Sequence, residues 1–375
     1  MRLVTMFVWL SLFNCRIVYN CLGPRHRLNF SKPSSQYLSS ALPTLSSSSN
    51  NLGQVHRSHP YTMHAALVNT WGSPPTYTTV PDLPEPSPTQ IRLRVLATGV
   101  HRLVLSRASG KHYTASTLPH LPGADGVGED PTTGQRYFFA ALATGTFAEF
   151  VNVDRAAVSP LPEGADAAVV AAYMNPVMSS WMALSARAAP QQKGFSVAIL
   201  GVTSASGRVA VDVARAKGAG RIVGIARNAT AMEEIPIDER IILNGEETDW
   251  SKLGEVDVVL DYVYGSPVVE LLKALPKSER EVQYVHIGSV SGDGDITLPG
   301  AILRGKRVAL RGAGPGSWLM REYASELGGM IGVTAGLKGK EVKVIAMKDV
   351  EKGWSEAGLG KTRVVFVSDD LVKSS

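Results

Sequence analysis

In Phe195-Ser-Val-Ala-Ile-Leu-Gly-Val-Thr-Ser-Ala-Ser-Gly-Arg-Val-Ala-Val-Asp-Val-Ala-Arg-Ala-Lys-Gly218, an apolar run from Val197 to Leu200 has the character of a strand buried on both faces. Gly201 and Gly207 then frame small residues only. Beyond them Val209, Val213 and Ala216 share one helical stripe, Ala210 and Ala214 lie beside it, and Gly218 stands where a helix stops. Strand, small-residue loop and helix in that order turn unpaired N–H groups of a helix N-terminus toward an anion, here a dinucleotide pyrophosphate. The spacing is Gly201-x-x-Ser204-x-x-Gly207; against G-x-G-x-x-G, Thr203 takes the middle glycine's place. Alone, it fits equally a glycine turn in any strand–helix unit, so the surroundings must decide.

Around this stretch helix and strand patterns alternate, as a doubly wound parallel α/β sheet requires. Strands are expected at Val197–Leu200, Arg221–Ala226, Arg240–Leu243, Val256–Asp261, Val282–Ile287 and Arg307–Leu310. Right-handed crossovers put their carboxyl ends on one edge, where ligands bind. Small residues recur there: Gly201, Gly265 soon after Asp261, Gly288-Ser289, and Gly312-Ala-Gly314-Pro-Gly316. This recurrence supports dinucleotide binding by Gly201, Thr203, Ser204, Ala205, Ser206, Gly207, Asp261, Gly288, Ser289, Gly312 and Gly314. The second strand ends in Gly224-Ile-Ala-Arg227-Asn228 with no acid before Glu233. A guanidinium pairs with a 2′-phosphate where a carboxylate would repel it, so Arg227 and Asn228 favour NADP(H) over NAD(H).

A chain of 375 residues, 44% hydrophobic and 19% charged, has the composition of a soluble two-domain protein. Its net charge of +5 is partly N-terminal, since no acid precedes Asp82; no nucleic-acid partner is expected. Both cysteines, Cys15 and Cys21, lie in the same leader, which leaves the body without disulfide, thiolate metal site or cysteine nucleophile. Residues 1–62 are expected outside the fold, as a disordered or targeting leader. Leu3 to Phe13 is too short for a membrane span. It could be a secretory core without a clear cleavage site, and the acid-free tract with Arg25, Arg27, Lys32 and Ser34 to Ser49 also suits a mitochondrial transit peptide. Upstream sequence wrongly joined is a third alternative, because Met63 is followed by a credible first strand. A cytoplasmic location is expected, or a mitochondrial one if the transit peptide is genuine.

From Met63 short β-rich segments separated by turns dominate, with strands expected at His64–Val68, Gln90–Ala97 and Ala148–Val153. Ala97-Thr-Gly-Val100, Arg107-Ala-Ser-Gly110, Pro122-Gly-Ala-Asp-Gly-Val-Gly128, Gly145-Thr-Phe-Ala-Glu149 and Asn175-Pro176 with Ser179-Ser-Trp181 surround the nucleotide loop in a telling order. In these motifs the chain resembles the medium-chain dehydrogenases/reductases, and among them the zinc-independent quinone oxidoreductase-like branch. The resemblance runs from Met63 to Val367. It implies a β-rich GroES-like substrate domain over 63–175, a Rossmann domain over 176–317, and a return segment over 318–375 completing the first. In that segment Arg321 to Met330 and Val350 to Ala357 read as helical, Glu341 to Ala346 and Arg363 to Val367 as strands. Against the family's nucleotide motif, Ser204 replaces a middle glycine.

Zinc-using relatives hold a catalytic metal on a cysteine, a histidine and a third cysteine or acid. By the resemblance, His101, Ala124 and Asn175 occupy those positions. One ligand of three cannot hold zinc, which needs three protein ligands plus water, so no metal is expected. The expected activity is NADPH-dependent hydride transfer to a quinone or an activated alkene such as an enone, with Asn175 or Tyr113 stabilising the oxyanion. Asn175 could equally be packing, and Tyr113 packing or a lid. A short-chain dehydrogenase needs Tyr-x-x-x-Lys, and no tyrosine here has lysine four residues on. The alternative is a non-catalytic NADPH-binding sensor or structural protein. The partner expected is a small-molecule substrate, with no stable membrane span; related reductases are often dimers, which suggests a homodimer.

Overall fold

The computed structural model describes residues 62–112, 114–337, 339–358 and 362–372. Leader residues 1–61 and Tyr113 lie outside them, while Thr62, expected in the leader, opens the first strand.

Six strands form one wholly parallel sheet: Ser196–Leu200, Arg221–Ala226, Glu239–Ile242, Val258–Asp261, Val282–His286 and Val308–Gly312. Counted along the chain, their spatial order is 3-2-1-4-5-6. The order reverses between Ser196–Leu200 and Val258–Asp261, which opens a crevice at their carboxyl ends. Alternate side chains of these strands enter different cores. Val197, Ile199, Ile222 and Leu260 join one cluster, while Ala198, Leu200, Val223 and Val259 join the other. Burial on both faces is why the strands read as near-continuous apolar runs.

The helix Ala205–Ala216 follows the first strand and buries Val209, Ala210, Val211, Val213 and Ala214. Ala216, expected on the apolar stripe, is exposed because the helix ends there, and Gly218 follows with φ +93°. Val211 joins the buried face, since the helix is covered over more than one narrow stripe.

A second sheet runs in the order Val342–Ala346, Arg363–Val367, Gln90–Gly99, Asp125–Glu129, Arg136–Ala140 and Val158–Pro160, with Phe150–Asp154 also on Gln90–Gly99. It is antiparallel except where Val342–Ala346 meets Arg363–Val367. The C-terminal strand thus lies directly against Gln90–Gly99, pairing Val365 with Gly99 and Val367 with Ala97. Thr62–Leu67 and Thr76–Pro81 make a separate antiparallel pair.

The helix Ala167–Met182 runs unbroken through position 175 and packs on Gln90–Gly99 from one side and on Ala205–Ala216 from the other. It is capped by Asp166, whose carboxylate accepts from Ala168 N–H and Val169 N–H. Among the described residues only this helix, extended to Arg187, is long and apolar enough to cross a membrane, and it is mostly buried in the core. Its apolarity is that of an element covered all round.

Candidate active site

Gly201 leaves the first strand with φ +89°, and a Cβ there would lie 2.8 Å from Val263 Cγ2. Gly207 faces a tighter constraint, since its Cβ would sit 2.2 Å from the Gly201 carbonyl oxygen. These two glycines let the helix start directly against the strand. Ser204 is the N-cap, with φ −68° and ψ 159°, a backbone conformation open to any residue. A side chain is therefore tolerated at this position. Its Oγ accepts from Gly207 N–H at 3.0 Å, which leaves its own proton free to donate to an anion.

Two cavities meet at this loop. One, of about 540 Å³, is lined by Gly201, Thr203, Ser204 and Arg227 together with the apolar Leu243, Trp250, Val263 and Pro267. Arg227 is exposed and makes no side-chain hydrogen bond among the described residues. The other, of about 400 Å³, contains Ser204, Ala205, Ser206, Gly288 and Ser289 on one side and His101, Arg102, Asn175, Ser179, Tyr262 and Arg363 on the other. Together they have the size and lining of a dinucleotide cleft with room for a small acceptor.

Four of the expected cofactor contacts line neither cavity besides Gly207. Asn228 caps the short helix Ala229–Glu233, its Oδ1 accepting from Ala231 N–H at 3.0 Å. Asp261 is fully buried, and its carboxylate is spent on its own turn and on Tyr284. It accepts from Val263 N–H at 2.8 Å, Tyr264 N–H at 3.0 Å and Tyr284 O–H at 2.5 Å. That turn drives Tyr264 to φ 61° just ahead of Gly265 at φ 78°. Burial and the Asp261 charge push the Tyr284 hydroxyl far above its ordinary pKa. Gly312 and Gly314 sit at the edge strand: the Gly312 carbonyl accepts from Arg187 Nε, and Gly314 N–H donates to Ser317 Oγ.

No protein-family model matches the chain. It is 37% identical to a protein of Emericella nidulans described as the probable NADPH-dependent quinone reductase tdiC, over 81% of this chain and all of that one. The chain belongs to the medium-chain dehydrogenase/reductase superfamily, in its quinone-reductase branch. The fold agrees. The Thermus thermophilus quinone oxidoreductase, solved with NADPH, superimposes with a TM-score of 0.64 at 26% identity, covering 81% of this chain and all of that one. A quinone oxidoreductase of Pseudomonas syringae gives 0.67 at 20% identity, over 81% and 99%.

The three positions that the resemblance sets against zinc ligands hold His101, Ala124 and Asn175. His101 is buried, with Nε2 3.4 Å from Asp125 Oδ1. Ala124 offers no ligand. Asn175 lines the cavity from the middle of the Ala167–Met182 helix. Among the described residues no group of three or more His, Cys, Asp or Glu is placed to hold a metal ion. Tyr262 and Arg363 were not among the candidate site residues, and Ser179 was read only as part of the motif that follows Asn175-Pro176. Tyr262 O–H lies 3.5 Å from Ser179 Oγ, and burial pushes its pKa up to about 12. Arg363 arrives from the C-terminal strand with its Nε buried and without a hydrogen-bond partner.

Proposed function

We propose that this chain is a zinc-independent, NADPH-dependent oxidoreductase that transfers a hydride to a quinone or to an activated alkene such as an enone. The observation that carries this is the joined cleft: a glycine-framed helix N-terminus with Arg227 at one end, and Asn175 and His101 without a metal-ligand set at the other. NADPH suits the first part. Backbone N–H groups at Ala205 and Ser206 and the Ser204 hydroxyl would hold the pyrophosphate, and Arg227 the 2′-phosphate. Leu243, Trp250 and Val263 form an apolar wall for a flat base. When bound, the nicotinamide supplies a hydride.

The remaining work falls to the chain's own side chains. They hold the acceptor against the cofactor in the 400 Å³ cavity. Asn175, whose amide has no hydrogen bond among the described residues, is placed to donate to an oxyanion as charge develops. Since His101, Ala124 and Asn175 offer no ligand set for a carbonyl-polarising metal, this reading favours acceptors that take a hydride through their own electronics. The purified protein is expected to oxidise NADPH with quinones or enones, to do so equally after exhaustive chelation, and to leave simple primary alcohols with NADP⁺ untouched. Activity lost to chelators, efficient alcohol oxidation, or NADPH bound tightly without turnover on any quinone or enone would each overturn the proposal.

The assembly is proposed to be a homodimer. The edge strand Val308–Gly312 pairs on one side only among the described residues, and Leu303, Leu310, Leu319 and Met320 are exposed large apolar side chains near it in sequence. An unpaired edge of this kind is self-complementary about a two-fold axis. Light scattering should give twice the chain mass, and Leu310→Lys should halve it. A monomer at micromolar concentration would refute the dimer.

A further inference from the structure

His101 stands at the N-cap of the helix Arg102–Ala108, yet its side chain makes no capping hydrogen bond. The ring turns into the catalytic cavity instead, and the residue is only 6% exposed. Its Nε2 lies 3.4 Å from Asp125 Oδ1, and both atoms are shielded from water without a hydrogen-bond partner. A buried pair left misaligned in this way is a poor source of stability. It has the geometry of a catalytic contact that tightens when substrate arrives. With the carboxylate against Nε2, Nδ1 is left as the nitrogen available to the cleft.

Resting on the hydride-transfer function above, we propose that His101 is the acid that protonates the oxygen of the reduced acceptor, with Asp125 as its positioning residue. The acceptor gains two electrons and one hydrogen as hydride from NADPH, and a carbonyl π pair moves onto oxygen. The Nδ1–H bond of the imidazolium then breaks as the new O–H bond forms. His101 is left neutral and regains a proton from solvent. The balance is quinone, NADPH and one proton giving hydroquinone and NADP⁺.

Around the pair stand Arg363 on the C-terminal strand, Arg102 beside His101, Tyr262 after the strand Val258–Asp261, and Tyr323 on the helix Met320–Ala335. Burial lowers the Arg363 guanidinium from its ordinary value, which the Tyr173 and Asp125 charges only partly oppose, and burial together with the Asp125 charge raises Tyr323.

The test compares the full-length wild type with His101→Gln and Asp125→Asn on substituted 1,4-benzoquinones whose hydroquinones differ in acidity. His101→Gln is expected to lower kcat by about 10²-fold where the product is weakly acidic, and progressively less as its acidity rises. KM for NADPH should hold. Asp125→Asn, which removes only the positioning contact, should lower kcat with the same dependence on product acidity but by less, again with KM for NADPH unchanged. Binding gives a separate readout. With NADP⁺ present, 4-nitrophenol should bind wild type as the phenolate, visible by absorbance, and His101→Gln about tenfold more weakly. An unchanged kcat across the series, or an equal loss for every acceptor with a raised KM for NADPH, would overturn the proposal and leave His101 a packing residue. Wild type inert toward all quinones would instead overturn the activity, since nitrophenolate binding would still report on His101.

Discussion

Gly207→Ala is expected to weaken NADPH binding by about 10²-fold and to destabilise the protein, although alanine is the better helix former. Propensity alone would favour the change by about 0.5–1 kcal/mol. Against it stand a contact of 2.2 Å to the Gly201 carbonyl oxygen and one of 2.8 Å to Val202 Cα, both backbone atoms of the same loop. Neither can swing aside as a flexible side chain would. Overpacking of this kind costs about 1–3 kcal/mol, and relieving it moves the helix N-terminus away from the strand. A displacement near 1 Å at groups that hold a ligand costs about 10²-fold. Gly328→Ala is the control: position 328 is exposed on the helix Met320–Ala335, and nothing lies within 4 Å of the added Cβ. That substitution should raise thermal stability slightly and leave NADPH binding alone. Calorimetry and fluorescence titration of both variants decide the matter. A Gly207→Ala protein that binds NADPH like wild type would show that the close strand–helix contact is not what shapes the loop.

Legibility in the sequence followed burial. Arg221–Ala226 and Arg363–Val367 were bounded correctly from their residues, because strands covered on both faces leave an apolar run with sharp polar ends. Boundaries slipped by one to two residues at Glu239–Ile242 and Val258–Asp261, where a polar or apolar neighbour blurred the edge. The nucleotide loop was legible as a local motif, down to the side chain at Ser204. Asp261 and Asn228 show the limit of such motifs. An acid or amide at a strand end looks the same in sequence whether it faces a ligand or binds its own backbone, and here Asp261 closes its turn while Asn228 caps a helix. Arg363, Tyr262 and Trp250 had no local signature. They line the cleft because the return strand, the fourth parallel strand and a long loop converge there, and convergence is a property of topology. His101 was visible as a replaced zinc position, but its pairing with Asp125 required the strand Asp125–Glu129 to be laid beside Gln90–Gly99.

Arg227→Ala should separate the two nicotinamide cofactors, weakening NADPH by about 1.5–3 kcal/mol while barely touching NADH. A charged hydrogen bond to the 2′-phosphate is the interaction removed, and NADH has no such group. Arg227 is exposed, and solvent screens exposed ion pairs, which sets the expectation at the lower end, about tenfold in Kd. Its neighbours bear on the size of the effect. Arg240 and Lys252 line the adjoining cavity of about 430 Å³ with Arg227, but the Arg240 guanidinium is held by the carbonyls of Met232, Ile235 and Ile237. Arg240 cannot swing out to substitute for the lost guanidinium without breaking those bonds. Lys252 can offer a compact charge but not a forked contact. Glu247 and Asp249 share that cavity, so the positive field there is local to Arg227 rather than general. Removing Arg227 should therefore also flatten the salt dependence of NADPH binding, and Arg227→Lys should recover only part of the loss. Kd values for NADPH and NADH at two ionic strengths test all three expectations. Equal weakening of both cofactors would mean that Arg227 supports the cavity wall and that the 2′-phosphate is recognised elsewhere.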